Sequence, residues 1–195
     1  MKIYDITQEL FSSVVFPGDP APKAEHPLKI SEGALCNLTL LSMCAHNGTH
    51  VDAPYHFIDG AKTVDQMDLE KLIGPAQVIE FDGSLSAGDV DRLVKPDTKR
   101  VLFKGKTVVT LEAAKALNAL GIWLVGNESQ TVGAEDAPAA VHRELLGMEV
   151  VLLEGIRLGA VPEGVYFLNA APINLGGCDG APCRAVLVDF EGKMC

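Results

Sequence analysis

Short apolar runs alternate with polar turns along the chain, and helical periodicity becomes clear only in its second half. Short apolar runs bounded by turn residues are typical of buried strands, whereas apolar spacings of three and four predict amphipathic helices. We expect helices at residues 86–93, 110–121 and 137–146, with a short helical turn at 65–72. We expect strands at residues 2–7, 28–31, 36–43, 76–81, 100–103, 122–125, 149–153, 165–168 and 184–190.

The order of these elements predicts the fold class. The clearest helix begins after Thr110, which can cap its first turn, and ends at Gly121. Strands cluster early in the sequence, whereas helices alternate with strands later. This order predicts an α/β protein with a mixed β-sheet core and a few covering helices. A length of 195 residues fits one domain spanning residues 1–195.

Composition and charge exclude several function classes. The chain is 48% apolar and 22% charged, which is typical of a globular protein with a substantial core. A net charge of −10 argues against nucleic-acid binding, which needs a basic face, and against docking on anionic lipid. The N-terminus resembles neither a signal peptide nor a membrane helix. The five cysteines form no CxxC pair, so we expect reduced thiols and a cytoplasmic protein.

The stretch 46–56 carries the most chemistry in the sequence. It contains His46, His50, Asp52 and His56, all at even positions. An internal glycine and proline disfavour a helix, and in an extended strand residues of one parity share a face. Three imidazoles and a carboxylate on one face are ligands for zinc or a similar first-row metal. The alternative is a solvated loop, in which these side chains would need no partner.

Three further residues are candidates for the same site. His142 lies in the predicted helix 137–146, and Glu154 follows the apolar run 150–153, which would deliver its carboxylate to a strand end. A buried carboxylate needs a cation or takes up a proton. Taken singly, His142 could be a surface residue and Glu154 could pair with Arg157. Cys44 could bind zinc, although a small buried hydrophobe is the simpler interpretation.

At this point the chain resembles a known family. Residues 46–57 read His-Asn-Gly-Thr-His-Val-Asp-Ala-Pro-Tyr-His-Phe and resemble the signature of the cyclase family, whose best-known members are bacterial kynurenine formamidases. Similar agreement extends to residues 16–20, to 124–126 with His142 and Glu154, and to 178–187. The resemblance implies the swivelling β/β/α-like fold of that family and a homodimer or larger homo-oligomer.

The resemblance also implies a set of site residues. In family members that bind two zinc ions, one ion is held by the residues matching His46, His50 and Asp52. The aspartate bridges to a second ion, held by the residues matching His142 and Glu154. The histidine matching His56 lies near the substrate and transfers protons. These roles are expectations carried over from the family, position by position.

Such a site predicts metal-dependent hydrolysis of a C–N bond in a small amide or formamide. Two divalent ions about 3.5–4 Å apart can acidify a shared water and polarise a carbonyl. Zinc is the expected ion and manganese the alternative, since imidazole and carboxylate ligands accept both. Against the family pattern, the sequence has Asn127-Glu128 in the second motif and only a short segment at 104–109. A non-catalytic metal- or small-molecule-binding protein is therefore the alternative function, and a single structural zinc a third.

Overall fold

A computed structural model describes residues 1–190 of the chain. The strands are β1 (Lys2–Asp5), β2 (Lys23–Leu28), β3 (Leu38–Ser42), β4 (His50–Asp52), β5 (Ile73–Glu80), β6 (Gly83–Leu85), β7 (Arg100–Lys104), β8 (Thr107–Val109), β9 (Leu124–Asn127), β10 (Val151–Glu154), β11 (Gly164–Asn169), β12 (Gly180–Pro182) and β13 (Val186–Asp189). The helices are α1 (Leu69–Leu72), α2 (Ala87–Leu93), α3 (Leu111–Ala119) and α4 (Ala139–Leu146).

Nine of the strands in residues 1–190 form one mixed sheet, in the order β1-β13-β11-β5-β7-β9-β10-β4-β12. Its centre, β5-β7-β9-β10, is parallel, and the strands on both sides are antiparallel. Parallel strands covered on both faces require nearly continuous apolar sequences, which the central strands have. The strands β2 and β3 form a separate antiparallel hairpin, and β6 pairs with β8.

Two apolar clusters lie on opposite faces of this sheet. Helices α2, α3 and α4 pack on one face, over side chains such as Val125 and Leu152. Their chain neighbours Leu124 and Leu153 point into the cluster on the other face. This alternation follows from the two-residue period of a strand. The central strands are therefore anchored from both sides, and their ends are held in fixed positions.

The predicted α/β class with a mixed sheet and a few covering helices is confirmed. The strand expected at 28–31 is wrong, because the chain turns into a single 3-10 turn, Ile30–Glu32, after β2 ends at Leu28. The polar sequence of β2 has a weak intrinsic propensity for strands, but antiparallel pairing with β3 stabilises it as one. In residues 1–190 no helix has the length and apolar content needed to cross a bilayer. The single domain stays a prediction.

Candidate metal centre

Strand pairing brings the central part of the histidine motif next to Glu154. Strand β4 lies between β10 and β12, with His50 opposite Glu154 and Asp52 opposite Gly180. Residues opposite each other in an antiparallel ladder project from the same face. His50, Asp52 and Glu154 are all buried on that face, while Val51 between them points into the apolar core.

The prediction that one strand carries the whole motif is wrong. Only His50–Asp52 is a strand. His46 lies in the preceding turn, where the Asn47 side chain accepts a hydrogen bond from the Cys44 amide at 2.8 Å. His56 ends a 3-10 turn, Pro54–His56, that begins with the proline. The turns bring both imidazoles back to the face of β4, so the side chains converge for a reason other than strand parity.

The helix α4 delivers His142 to the same place. Its side chain is buried, and its Nε2 lies 3.3 Å from Glu154 Oε1. The carbonyl of Pro138 lies 2.9 Å from its Nδ1, which leaves Nε2 facing the site. The alternative interpretation of His142 as a surface residue is therefore wrong.

The position of Glu154 is fixed from two sides. The Val132 amide donates a hydrogen bond to its Oε1 at 2.8 Å, and His50 Nε2 lies 3.5 Å from its Oε2. The suggested partner Arg157 donates instead to Gln8 and to main-chain carbonyls. The alternative of an ion pair with Arg157 is therefore wrong.

Asp52 lies at the centre of the cluster. Its Oδ1 is 2.9 Å from His46 Nδ1 and 3.4 Å from His50 Nε2. Its Oδ2 is 3.6 Å from His142 Nε2 and has no hydrogen-bond partner among residues 1–190. Because an unpartnered buried carboxylate oxygen costs free energy, this atom needs a donor or a cation.

Sequence reasoning missed Asp179. This residue immediately precedes β12, and its Oδ2 is 2.9 Å from His46 Nε2 and 3.1 Å from His56 Nδ1. It lies inside the segment 178–187 that resembles the family, which was the available signal. Nothing in its sequence spacing links it to residues 46–56, because only the β4–β12 pairing brings them together.

Without a metal, protonated histidines balance the negative charge of the buried carboxylates. Burial lowers the pKa of His46, but hydrogen bonds to Asp179 and Asp52 outweigh it and raise the pKa to about 11. For His50, burial is likewise outweighed by Asp52 and Glu154, and the pKa rises to about 9. Burial lowers the pKa of His56 below its usual value. Protons therefore supply the positive charge that the buried carboxylates require.

The donor set fits a divalent cation. Potential ligand atoms fall into two overlapping groups, each within 4.8 Å: His46, Asp52 and His56 in one, and His50, Asp52 and Glu154 in the other. Asp52 is common to both groups. Imidazole nitrogens with carboxylate oxygens are the ligands of zinc and related ions. A cation between them would replace the protons and give the free oxygen of Asp52 a partner.

The cluster lines a cavity of about 320 Å³. Phe16 and Phe57 supply aromatic surface, and Gln130 and Thr131 line another part of the wall. Such a combination of an apolar wall with a few polar groups is typical of small-molecule sites. Tyr55, next to His56, is exposed instead. Cys44 borders the cavity and its thiol lies 3.8 Å from Asp19 Oδ2, so it is not the fully buried hydrophobe that we considered.

The two departures from the family pattern serve local structure. Glu128 accepts hydrogen bonds from the amides of Gly105 and Leu158, both at 2.8 Å. Asn127 donates to the Thr131 carbonyl at 2.9 Å, which holds the loop that borders the cavity. The short segment after β7 forms β8. Neither departure removes one of the five predicted ligands.

Comparisons with known proteins agree with the resemblance. A family model described as "Putative cyclase" matches residues 4–134. A kynurenine formamidase from Sphingopyxis alaskensis is 31% identical over 95% of this chain and 97% of that protein.

Solved structures add likeness of fold. A structure of a potential metal-dependent hydrolase with cyclase activity is 30% identical, with a TM-score of 0.82 over 95% of this chain and 96% of that one. Isatin hydrolase A from Labrenzia aggregata, bound to benzyl benzoate, also has a TM-score of 0.82, at 22% identity over 95% of this chain and 93% of that one. At that identity the second likeness shows the fold alone. The chain belongs to the cyclase family.

Proposed function

We propose that this protein is a metal-dependent hydrolase that cleaves the C–N bond of a small amide or formamide. One observation carries the proposal: five imidazole and carboxylate side chains, four of them buried, meet beside a cavity large enough for a small substrate. The proposed ligands are His46, His50, Asp52, His142 and Glu154. The proposed proton-transfer residue is His56.

The burial of the cluster supports a bound cation. His50, Asp52, His142 and Glu154 are each no more than 2% exposed. Burying this many ionisable groups for structure alone would be costly, because an apolar core of the same volume is usually as stable or more stable. Their cost is explained if the groups hold a metal in the functional protein.

A divalent cation bound here would acidify a water molecule and polarise a substrate carbonyl. The chain's own residues account for the rest of the reaction. Asp179 accepts from Nδ1 of His56, so the other ring nitrogen, Nε2, is left as the basic atom. Because burial lowers its pKa, His56 is neutral at neutral pH, so it can accept a proton released in the reaction and pass it to the leaving nitrogen. Phe57 packs against the rings of both His56 and His142 and so limits their movement.

The cavity favours an amide on an aromatic ring. Phe16, Phe57 and Pro138 line part of it, and about 320 Å³ lies at the small end of the range for ligand sites. The kynurenine formamidases and isatin hydrolases among the similar proteins are named for substrates of this kind. We therefore propose N-aryl formamides and strained cyclic amides as the substrate class.

Zinc is the proposed ion, at up to two per chain, with manganese as the alternative. Asp52 lies in both groups of ligand atoms and is suited to bridge two ions. The proposal is tested by loading the protein with Zn²⁺ or Mn²⁺, measuring metal content, and assaying N-formylkynurenine, formanilide and isatin. We expect turnover of at least one of them. Bound metal without turnover would contradict the hydrolase and favour a binding protein.

Variants sharpen this experiment. Asp52→Ala should lose both metal and activity, because it removes the carboxylate that faces three imidazoles. His26 is the matched control, since it is an exposed histidine on β2, hydrogen-bonded to Thr39. His26→Ala should keep full metal content and activity. Full metal content in Asp52→Ala would refute the assigned ligand set.

We also propose a homodimer or larger homo-oligomer, formed through the β2–β3 hairpin. Leu38, Leu40 and Leu41 of β3 are 50–58% exposed, and Leu35 before it is 99% exposed. A two-stranded hairpin is only marginally stable alone, and exposed apolar patches commonly mark interfaces. A second copy of this chain would cover it.

Light scattering tests the oligomer. We expect Leu40→Lys to shift the protein toward the monomer, whereas Leu69→Lys, at an equally exposed leucine on α1, should not. A wild-type protein that is monomeric at all concentrations would contradict the oligomer. The cytoplasmic location stays a prediction, which cell fractionation would test.

A further inference from the structure

Among residues 1–190, Asp179 is the one carboxylate that is hydrogen-bonded both to a proposed metal ligand and to the proposed proton-transfer residue. The same oxygen, Oδ2, lies 2.9 Å from His46 Nε2 and 3.1 Å from His56 Nδ1. The two rings stack, with centroids 4.0 Å apart and planes inclined by 30°. A single acceptor therefore links both imidazoles, and Asp52 holds the other ring nitrogen of His46.

The main chain holds Asp179 in this position. Its carbonyl accepts a hydrogen bond from the Ala53 amide at 2.9 Å, which continues the ladder between β4 and β12. On the motif side, Ala53 lies between Asp52 and the 3-10 turn that carries His56. Asp179 is thus held in register with the residues that it contacts.

The chemistry of the contact fixes which ring nitrogens carry hydrogen. An ionised carboxylate only accepts hydrogen bonds, so the nitrogens that face Oδ2 must both be N–H groups. For His46 this makes Nε2 a donor to Asp179, while Nδ1 donates to Asp52 Oδ1 as long as no cation is bound. For His56 it makes Nδ1 the donor and leaves Nε2 free of hydrogen.

We propose that Asp179 is a positioning residue that holds His46 Nε2 and His56 Nδ1 as N–H groups, so that His46 would offer Nδ1 to a bound metal and His56 would offer Nε2 to the substrate. The part of this proposal that concerns His56 and the substrate rests on the proposed function. Metal-binding histidines commonly donate their other N–H to a carboxylate, which orients the ring and strengthens the ligand. Here the same carboxylate would also orient the proton-transfer histidine.

The first test is a spectroscopic one on metal-free protein. Two-dimensional ¹H–¹⁵N NMR of the imidazole rings reports which nitrogen carries hydrogen. We expect His56 in the wild type to be the Nδ1–H tautomer, and Asp179→Ala to shift it toward Nε2–H, the usual form in water. Asp179→Asn keeps one acceptor oxygen and should give an intermediate result. A His56 tautomer that is unchanged in both variants would overturn the proposal.

The second test is zinc affinity, measured by competition with a chromophoric chelator. Loss of an outer-shell partner typically lowers metal affinity about 10–100-fold, and we expect Asp179→Ala to fall in that range. Asp91→Asn, at an exposed aspartate of α2, is the matched control and should bind zinc as the wild type does. If Asp179→Ala binds zinc as tightly as the wild type does, Asp179 does not position His46 as a ligand. If Asp179→Ala does not fold, Asp179→Asn carries both measurements.

Activity separates this proposal from the proposed function. In an active enzyme, Asp179→Asn should lower kcat more than it raises KM and should change the pH dependence of kcat, because proton transfer through His56 is impaired. A wild-type protein that binds zinc and hydrolyses no amide, while Asp179→Ala shifts the tautomer and weakens zinc binding, would refute the function and support the positioning role. Unchanged kinetics in an active Asp179→Asn enzyme would refute the positioning role alone.

Discussion

A single methyl group added at Gly180 tests whether the ring of His46 must stand where the structure places it. A Cβ atom at this position would lie 2.7 Å from His46 Cε1 and 2.7 Å from the Val51 carbonyl oxygen. The backbone of Gly180 is not in the left-handed region, so Gly180→Ala introduces crowding without backbone strain. No polar group of the site is removed.

The size of the effect follows from these distances. Ordinary contact begins at 3.4 Å, so the imidazole or the strand must move by about 0.7 Å, the difference between 3.4 and 2.7 Å. A displacement of about 1 Å at a reacting centre can cost about 100-fold in rate, so we expect kcat/KM to fall about 10–100-fold. Overpacking of this kind costs about 1–3 kcal/mol of stability. For a chain of this length the melting temperature should fall by about 2–12 °C.

The assay compares zinc affinity, kcat/KM on an aryl formamide and thermal unfolding in three proteins. Gly176→Ala is the matched control, because it lies in the same segment before β12 and an added Cβ there meets nothing within 4 Å. We expect the control to match the wild type within about 0.5 kcal/mol. A folded Gly180→Ala protein with wild-type zinc affinity and kcat/KM would refute the placement of His46 at the metal.

Three other predictions concern the ligands, the metal and pH. Glu154→Gln keeps the shape of the side chain but removes its charge, so zinc affinity should fall by more than the roughly 10–100-fold typical of an outer-shell change; equal affinity in chelator competition would contradict this. Zinc at about 100 times its Kd should stabilise the protein by about 2.7 kcal/mol, which calorimetry would detect as a higher Tm that EDTA reverses; an unchanged Tm would count against a site in the folded state. Hydrogen bonds from Ser86 and Arg92 lower the pKa of Asp89 to about 2, below its unfolded value of about 3.9. Its stabilising contribution is therefore complete above that value and lost as pH falls through about 2. The Tm difference between wild type and Asp89→Asn should then shrink between pH 5 and pH 2.5. A constant difference would contradict a lowered pKa of Asp89 in the folded protein.

The sequence predicted the parts of the fold that local pattern controls. The α3 helix is capped by the Thr110 hydroxyl, which accepts from the Ala113 amide, as its spacing indicates. The buried strands β7, β9 and β10 were visible as apolar runs. β2 was not, because its Lys23, Glu25 and His26 are stabilised as a strand by pairing with β3. Pairing partners distant in sequence leave no local pattern.

The candidate site divides in the same way. Strand parity placed His50 and Asp52 on one face correctly, because both belong to β4. His46 and His56 reach that face through turns, which the alternating pattern could not predict. The contact of Asp179 with both histidines depends on β12, a three-residue strand too short to be seen in the sequence. The ligand set itself was expected from the family resemblance and stays a prediction until a metal is observed.

The most direct measurement of the central claim is a crystal structure of the protein grown with zinc, with anomalous diffraction recorded at the zinc absorption edge. The account predicts an anomalous peak about 2.0–2.2 Å from imidazole nitrogens and the Asp52 carboxylate, with His142 and Glu154 completing that site or a second one beside it. Zinc bound only elsewhere on the surface, with the five side chains still paired to one another, would contradict it.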